Sequence, residues 1–351
     1  MLAEAVVAIV WLGVLAYGLF GGADYGAGIW DLLAGGGSEG ARRRRRIERS
    51  IGPVWEANHV WLIFVLVFLW TGFPSVFASI ATTLWIPLLL AGAGIVFRGA
   101  AFVFRKSSTT YGEARWYGSL FAASSVVTPF FLGTIAGGVA SGRVPGEGVG
   151  DHWTSWLNPT SLLGGVLAVG TTAWLAATLL ATDAARDGDP VMRRWFGIRS
   201  VVLGLGLGAV ALGGIAVLRS DAPMLADRLD GPGLPFVILS AMGGVAAILL
   251  VRARRAALAR YPAMGAVASV LMGGGVGQYP YLLEGRVTID QGAAPDATLW
   301  SLIVAFGLAA VLVVPALIWM LVLTNRGRLT DAPPHPGSSS GIALRLADPE
   351  S

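Results

Sequence analysis

Apolar and polar residues fall in blocks along this chain. Nine apolar stretches, at approximately 5–33, 50–72, 76–104, 117–140, 160–181, 199–218, 234–252, 262–283 and 298–323, are separated by short polar connections. Each can cross a bilayer as a helix, which takes roughly 17 to 25 residues per span. The pattern predicts an all-α polytopic membrane bundle of about nine transmembrane helices. An odd number of spans puts the two termini on opposite sides.

Charge assigns the sides. The odd-numbered connections are basic: Arg42 to Arg46 with Arg49, then Arg105, Lys106 and Arg115, then Arg186, Arg193, Arg194 and Arg199, then Arg252, Arg254, Arg255 and Arg260. The even-numbered ones hold Arg143, Arg219, Arg228 and Arg286 among Glu147, Asp151, Asp221, Asp227, Asp230, Glu284, Asp290 and Asp296. Short basic loops stay cytoplasmic, so the N-terminus is expected outside and the C-terminus inside. The RRRRR run at 42–46 lies between two spans, and the other inside loops are basic as well. It is therefore read as a topology signal rather than a nucleic-acid or anionic-lipid patch. No nucleic-acid partner is expected.

Composition agrees with the pattern. Of 351 residues, 55% are hydrophobic and 13% charged, against about 25% charged in soluble domains. Residues 1–328 are expected to form a single membrane domain, and 329–351 a disordered cytoplasmic tail rich in Pro, Gly and Ser. Residues 1–20 lack a basic n-region and a cleavage site, so a removed signal peptide is not expected. The chain has no cysteine, which excludes disulfides, thiolate metal sites and cysteine nucleophiles. Glycine pairs four apart, such as Gly18 and Gly22, Gly22 and Gly26, and Gly204 and Gly208, allow close helix approach.

Polar residues inside spans are the informative ones, because each has a desolvation cost to meet. They are Asp24 and Asp31 in the first span, Glu56, Asn58 and His59 in the second, Arg98 in the third, and Asn158 at the head of the fifth. Asp24 lies about 19 residues into an inward-running span and Glu56 about six into its antiparallel neighbour, so the two reach similar depth. Glu56 and His59 are three apart and share a helical face. Two readings stay open at this point. The carboxylates, with Asn58 and His59, could form the inner mouth of a proton wire, or Asp24 and Glu56 could pair with arginines and hold the helices in register. Of three histidines, His59, His152 and His335, only His59 lies in a span. A lone histidine there is a hydrogen-bonded helper more often than a ligand, so no metal site is expected.

The order of these pieces resembles subunit II of the cytochrome bd quinol oxidases. It has an early G-x-D-x-G segment, GGADYGAG at 21–28, then an arginine-bearing loop, then IGPVWEANHVWLI at 51–63, similar to the family's P-x-W-[DE]-x-N-x-VWLI. TGFP at 71–74, VFRGAAFVFR at 96–105, LNPTSLLGGVLAVG at 157–170 and VVPALIW in the last span follow in order. The resemblance implies a bacterial cytoplasmic-membrane, multi-pass subunit that binds no haem of its own. It would be packed against a subunit I carrying haem b and haem d, in a heterodimer that oxidises quinol and reduces dioxygen to water. A small single-helix subunit belongs to the possible partners, with membrane lipid around them. By similarity, Asp24 and Glu56 occupy positions assigned to a proton-uptake route, with Asn58 and Trp61 beside it; His59 joins the candidate route by its helical face, and Trp55, Trp61, Arg98 and Asn158 are the supporting candidates. Glu56 replaces the aspartate often found there, and Val103 stands where some members have a further aspartate. Some members also hold a structural quinone or an oxygen channel in this subunit; no motif here identifies either. The alternative is a proton-coupled secondary transporter, which usually shows matching interrupted helices in two halves; GGADYGAG has no such counterpart. A purely structural scaffold in the same complex would differ only in the work of Asp24 and Glu56.

Overall fold

The computed structural model describes the backbone of residues 1–51 and 55–325, and their side chains except at 51, 55–57, 106, 111, 314, 317, 318 and 320–325. The segment 329–351, expected to be a disordered tail, lies outside the described residues. The first span is assembled from α1 (Leu2–Ala16), a π-helical turn (Tyr17–Gly21) and α2 (Gly22–Leu32). There follow α3 (Gly37–Ile51), α4 (Trp55–Gly72), α5 (Pro74–Thr83), α6 (Trp85–Ser107), α7 (Tyr111–Ala140), α8 (Pro159–Arg186), α9 (Pro190–Asp221), α10 (Pro223–Asp230), α11 (Leu234–Arg252) and α12 (Ala256–Gln278). A short antiparallel hairpin, β1 (Tyr281–Leu283) with β2 (Val287–Thr288), leads through α13 (Ile289–Gly292) into α14 (Asp296–Asn325). The bundle thus has an arginine end, where α3 lies, and a hairpin end opposite. Eight described helices are long and apolar enough to cross a membrane, nine if α4 and the bent α5 count as one span.

Three boundaries depart from the pattern. The stretch 76–104 is not one helix: α5 turns by 118° from the end of α4, and α6 starts only at Trp85. Phe73 leaves the helical region at φ −139°, ψ 62° and Pro74 opens α5, where its missing N–H needs no partner. Apolar residues on both sides of the elbow hide it from a hydropathy reading. The connection before the second span is itself helical, as α3. The stretch 262–283 ends at Gln278, and its last residues enter the hairpin.

Close approach of helices is made at glycine. A Cβ on Gly26 would fall 1.9 Å from the Thr172 carbonyl oxygen, so α2 rests directly on the backbone of α8. Gly133 of α7 and Gly164 of α8 face each other in the same way, with each Cβ position within 2.5 Å of the other's carbonyl oxygen. Gly18, Gly22 and Gly204 also meet a neighbouring helix, whereas Gly208 faces open space. Gly208 therefore lies outside the helix contact expected of it.

At the arginine end, α3 is fastened to the connection between α8 and α9. Arg42 pairs with Asp189 at 3.0 Å and Arg46 with Asp187, while Arg43 donates to the Ala34 carbonyl at 2.9 Å. Trp30 donates its indole N–H to the Ala173 carbonyl at 2.8 Å and packs on Ala176, Ala177, Leu180 and Phe196. At the hairpin end a separate core gathers Val6, Phe73, Val76, Leu84, Val144, Leu283 and Leu299.

Candidate functional site

Arg98 of α6 reaches into the bundle and meets Asp24 of α2. Its Nη1 donates to Asp24 Oδ2 at 2.7 Å, and its Nη2 donates to Oδ1 at 2.7 Å and to the Asp24 backbone carbonyl at 3.0 Å. Its Nε donates to Ser125 Oγ at 3.0 Å. Arg98 is 1% exposed and Asp24 3%. Burying two charges costs several kcal/mol each, which only excellent geometry and full hydrogen bonding offset; a two-pronged guanidinium-carboxylate contact supplies both. The guanidinium carbon also lies 4.7 Å from the Tyr25 ring centroid and 4.6 Å from that of Phe121, so π faces replace the water it has lost.

One heptad further along both helices, Arg105 donates to Asp31 Oδ2 at 2.8 Å, with Arg44 of α3 at 3.8 Å from the other carboxylate oxygen. Both pairs span 74 positions, so α2 and α6 run in the same direction with two rungs between them.

The remaining polar groups surround the upper rung. The Tyr17 and Tyr25 hydroxyls are 2.9 Å apart. Between them the π-helical turn shifts the backbone: the Gly22 N–H reaches back to the Tyr17 carbonyl, five residues earlier. Asn58, buried, donates its amide to the Phe20 carbonyl of that turn at 3.3 Å. The His59 ring stands edge-on to Tyr25, with centroids 6.5 Å apart. The structure therefore brings Asp24, Arg98, Asn58 and His59 into one neighbourhood. Trp55 and Glu56 belong to the first turn of α4, but their side chains lie outside the described residues.

Two supporting residues have other surroundings. Trp61 stacks edge-on with Phe64 at 6.3 Å. Asn158 sits at the hairpin end as the N-cap of α8, its Oδ1 accepting from Ser161 N at 2.9 Å and its amide donating to the Thr154 and Ser155 carbonyls. It is a cap and does not join the cluster. Tyr17, Tyr25 and Ser125 were not singled out in the sequence. The equal spacing of Asp24 to Asp31 and Arg98 to Arg105 was the visible signal for the ladder.

At the hairpin end, Asp221 accepts from Arg143 Nη2 at 2.6 Å and from Thr160 Oγ1 at 2.6 Å. Beside it a pocket of about 240 Å3 is lined by Ser141, Asp221, Met224, Glu284 and Arg286, among others. Burial pushes the Glu284 carboxyl up, and Arg228 at 3.3 Å offsets part of that. In the loop before α8, Asp151 is held low by the N–H groups of Thr154 and Trp153, with a further bond from the Thr154 hydroxyl. Among the described residues, no three His, Cys, Asp or Glu side chains converge to hold a metal. The cluster at Asp24 combines a fixed ion pair with hydroxyl, amide and imidazole groups, which can hold and pass protons.

A family model described as cytochrome bd terminal oxidase subunit II matches residues 2–324. Over 184 residues the chain is 32% identical to cytochrome bd-I ubiquinol oxidase subunit 2 of Escherichia coli strain K12, covering 49% of this chain and 47% of that protein. Over 159 residues it is 28% identical to cytochrome bd ubiquinol oxidase subunit 2 of Bacillus subtilis strain 168, covering 44% and 46%. In these matches the chain spans about half the length of its curated relatives. The backbone is similar to a chain in the structure of bd oxidase from Geobacillus thermodenitrificans, with a TM-score of 0.77, 26% identity, and 92% of this chain and 98% of that one covered.

Proposed function

This chain belongs to the cytochrome bd terminal oxidase subunit II family, and from that premise we propose that it serves as the haem-free second subunit of a membrane complex that oxidises quinol and reduces dioxygen to water. The observation that carries this reading is the backbone likeness extending over 98% of a bd oxidase chain. The partner is then a haem-bearing subunit I, seated against apolar faces that this chain leaves bare.

The residues present do not fit a haem held by this chain alone. An axial ligand must face a slot wide enough for the macrocycle. Among the described spans the only histidine is His59, and its ring packs edge-on against Tyr25. Haem b and haem d are therefore assigned to the partner, and the contribution of this chain is to protons and to architecture.

In this reading the arginine end faces the cytoplasm, as short basic loops favour, and protons enter there past Glu56 and His59 toward the region of Asp24 and Asn58. Glu56 has the right chemistry to accept and release a proton near neutrality once desolvated. Asp24 is engaged by Arg98 through both oxygens, so it supplies fixed charge beside the path while Glu56 and His59 carry the proton. Asn58 holds the π-helical turn against α4 and keeps the two spans at a constant separation.

The test is co-expression of the tagged chain with the haem-bearing subunit, followed by a reduced-minus-oxidised spectrum and quinol-dependent oxygen uptake. Haem is expected to co-purify with the tag, and oxygen uptake to follow haem content. A folded chain that purifies without a haem protein, or that binds stoichiometric haem alone, would overturn the reading.

A further inference from the structure

Two arginines at the arginine end, Arg43 of α3 and Arg199 of α9, converge on one tryptophan. The guanidinium carbon of Arg199 lies 3.4 Å from the ring centroid of Trp195, and that of Arg43 lies 4.8 Å from the same ring. Arg199 donates to the Trp195 carbonyl at 2.9 Å, and among the described residues no carboxylate lies within 4.0 Å of it. Arg43 has a long contact of 3.7 Å to the exposed Glu39, and its buried Nε has no hydrogen-bond partner. Two cations thus share one indole with a single long contact to the exposed Glu39 between them, while Arg42 and Arg46 on the same helix as Arg43 are each paired with an aspartate.

The surface running from this point is apolar and uncovered. Val191, Ile198, Val202 and Leu205, 49%, 52%, 63% and 59% exposed, lie with Trp195 at intervals of three and four along α9, and Leu212, 71% exposed, follows one heptad beyond Leu205, which is one stripe of a helix. From Trp195 to Leu205 the stripe runs about 15 Å, half the thickness of a bilayer core. An amphipathic ring beneath two arginines, with an aliphatic stripe leading away from it, is the arrangement found where a helix crosses the headgroup boundary.

We propose that Arg43, Arg199 and Trp195 form a binding site for the phosphodiester headgroup of an anionic phospholipid, with one acyl chain lying along Val202 and Leu205. The two guanidiniums supply charge-assisted hydrogen bonds to the phosphate oxygens. The stripe supplies the apolar contact that a free phosphate would forgo. The chemistry favours an anionic lipid because two guanidiniums stand at the end of an exposed aliphatic stripe, matching a charged headgroup joined to an acyl chain.

The test uses delipidated full-length protein, purified with its partner subunit, exposed to an equal mixture of phosphatidylglycerol and phosphatidylcholine and examined by native mass spectrometry. Wild type is expected to retain phosphatidylglycerol over phosphatidylcholine by about tenfold, in line with two arginines at a membrane surface. Arg199→Gln should bring that ratio down to about threefold, the share left to Arg43. Arg252→Gln, which removes the same charge from an exposed position at the same end, should leave it unchanged, and Arg199→Lys should keep part of it. If Arg199→Gln does not accumulate, the ratio is read on Arg43→Gln with the same expectation. Equal retention by wild type and Arg199→Gln, or an equal loss in Arg252→Gln, would overturn the site. So would displacement of the lipid by millimolar inorganic phosphate, or loss of the partner subunit in place of lipid.

Discussion

Asp24 and Arg98, 74 positions apart, meet through both carboxylate oxygens at 2.7 Å in the interior of the bundle. Neither side chain has water to fall back on, so each is the condition for the other's burial. Arg98→Gln should leave a lone carboxylate beside Tyr25 and cost about 3 kcal/mol or more, seen as a lower Tm and a lower yield of assembled complex. Combining it with Asp24→Asn should recover part of the loss. Single and double variants that lose stability additively would show the pair to be uncoupled.

Glu56→Gln should slow oxygen uptake per assembled haem by about tenfold or more, because an amide keeps size and hydrogen bonding but cannot pass on a proton. Glu56→Asp should retain most of the rate. Haem content should be unchanged in both. Full activity of the Gln variant in an assembled complex would reduce Glu56 to a structural residue.

Asn158→Ala removes the cap of α8 at the hairpin end and should lower stability by about 1 kcal/mol, the usual worth of such a cap. Turnover per assembled haem should not change. A selective loss of turnover would give Asn158 a part in proton transfer that its three hydrogen bonds do not suggest.

Glu284 is buried and its carboxyl is pushed up by that burial. A carboxyl with a raised folded pKa favours the fold when protonated, so its contribution is full below the ordinary glutamate value of about 4.3 and is lost as pH rises through the raised one. Glu284→Gln should accordingly stabilise relative to wild type at neutral pH, with the advantage shrinking as pH falls toward about 4. A Tm series across that range checks it. An advantage that grows on acidification would mean that the Arg228 contact outweighs burial.

The spans could be read from sequence because a bilayer demands long apolar segments whatever their neighbours, and Asp24, Asn58, His59 and Arg98 stood out against that background. The elbow at Phe73 could not be read that way, since lipid-like residues flank it on both sides. Nor could the π-helical turn at 17–21, which no apolar period announces, although it is what Asn58 binds. The choice of Arg98 as partner for Asp24 depends on which helices face each other, and that is decided by contacts such as Gly26 on Thr172 rather than by the charges. Asn158 reads as an intramembrane polar residue in sequence and as a cap in the fold, because Pro159 opens α8 immediately after it.

The two rungs between α2 and α6 act as a vernier. Sliding α6 by one heptad, about 10 Å, would set Arg98 against Asp31 and carry Arg105 past the end of α2, but would strand Asp24 as a buried charge with no counterpart. A shift of a single turn would break both rungs at once. Alignment is therefore all-or-none along this seam, so helices whose outer surfaces are lipid-like and slippery can be assembled in only one axial position.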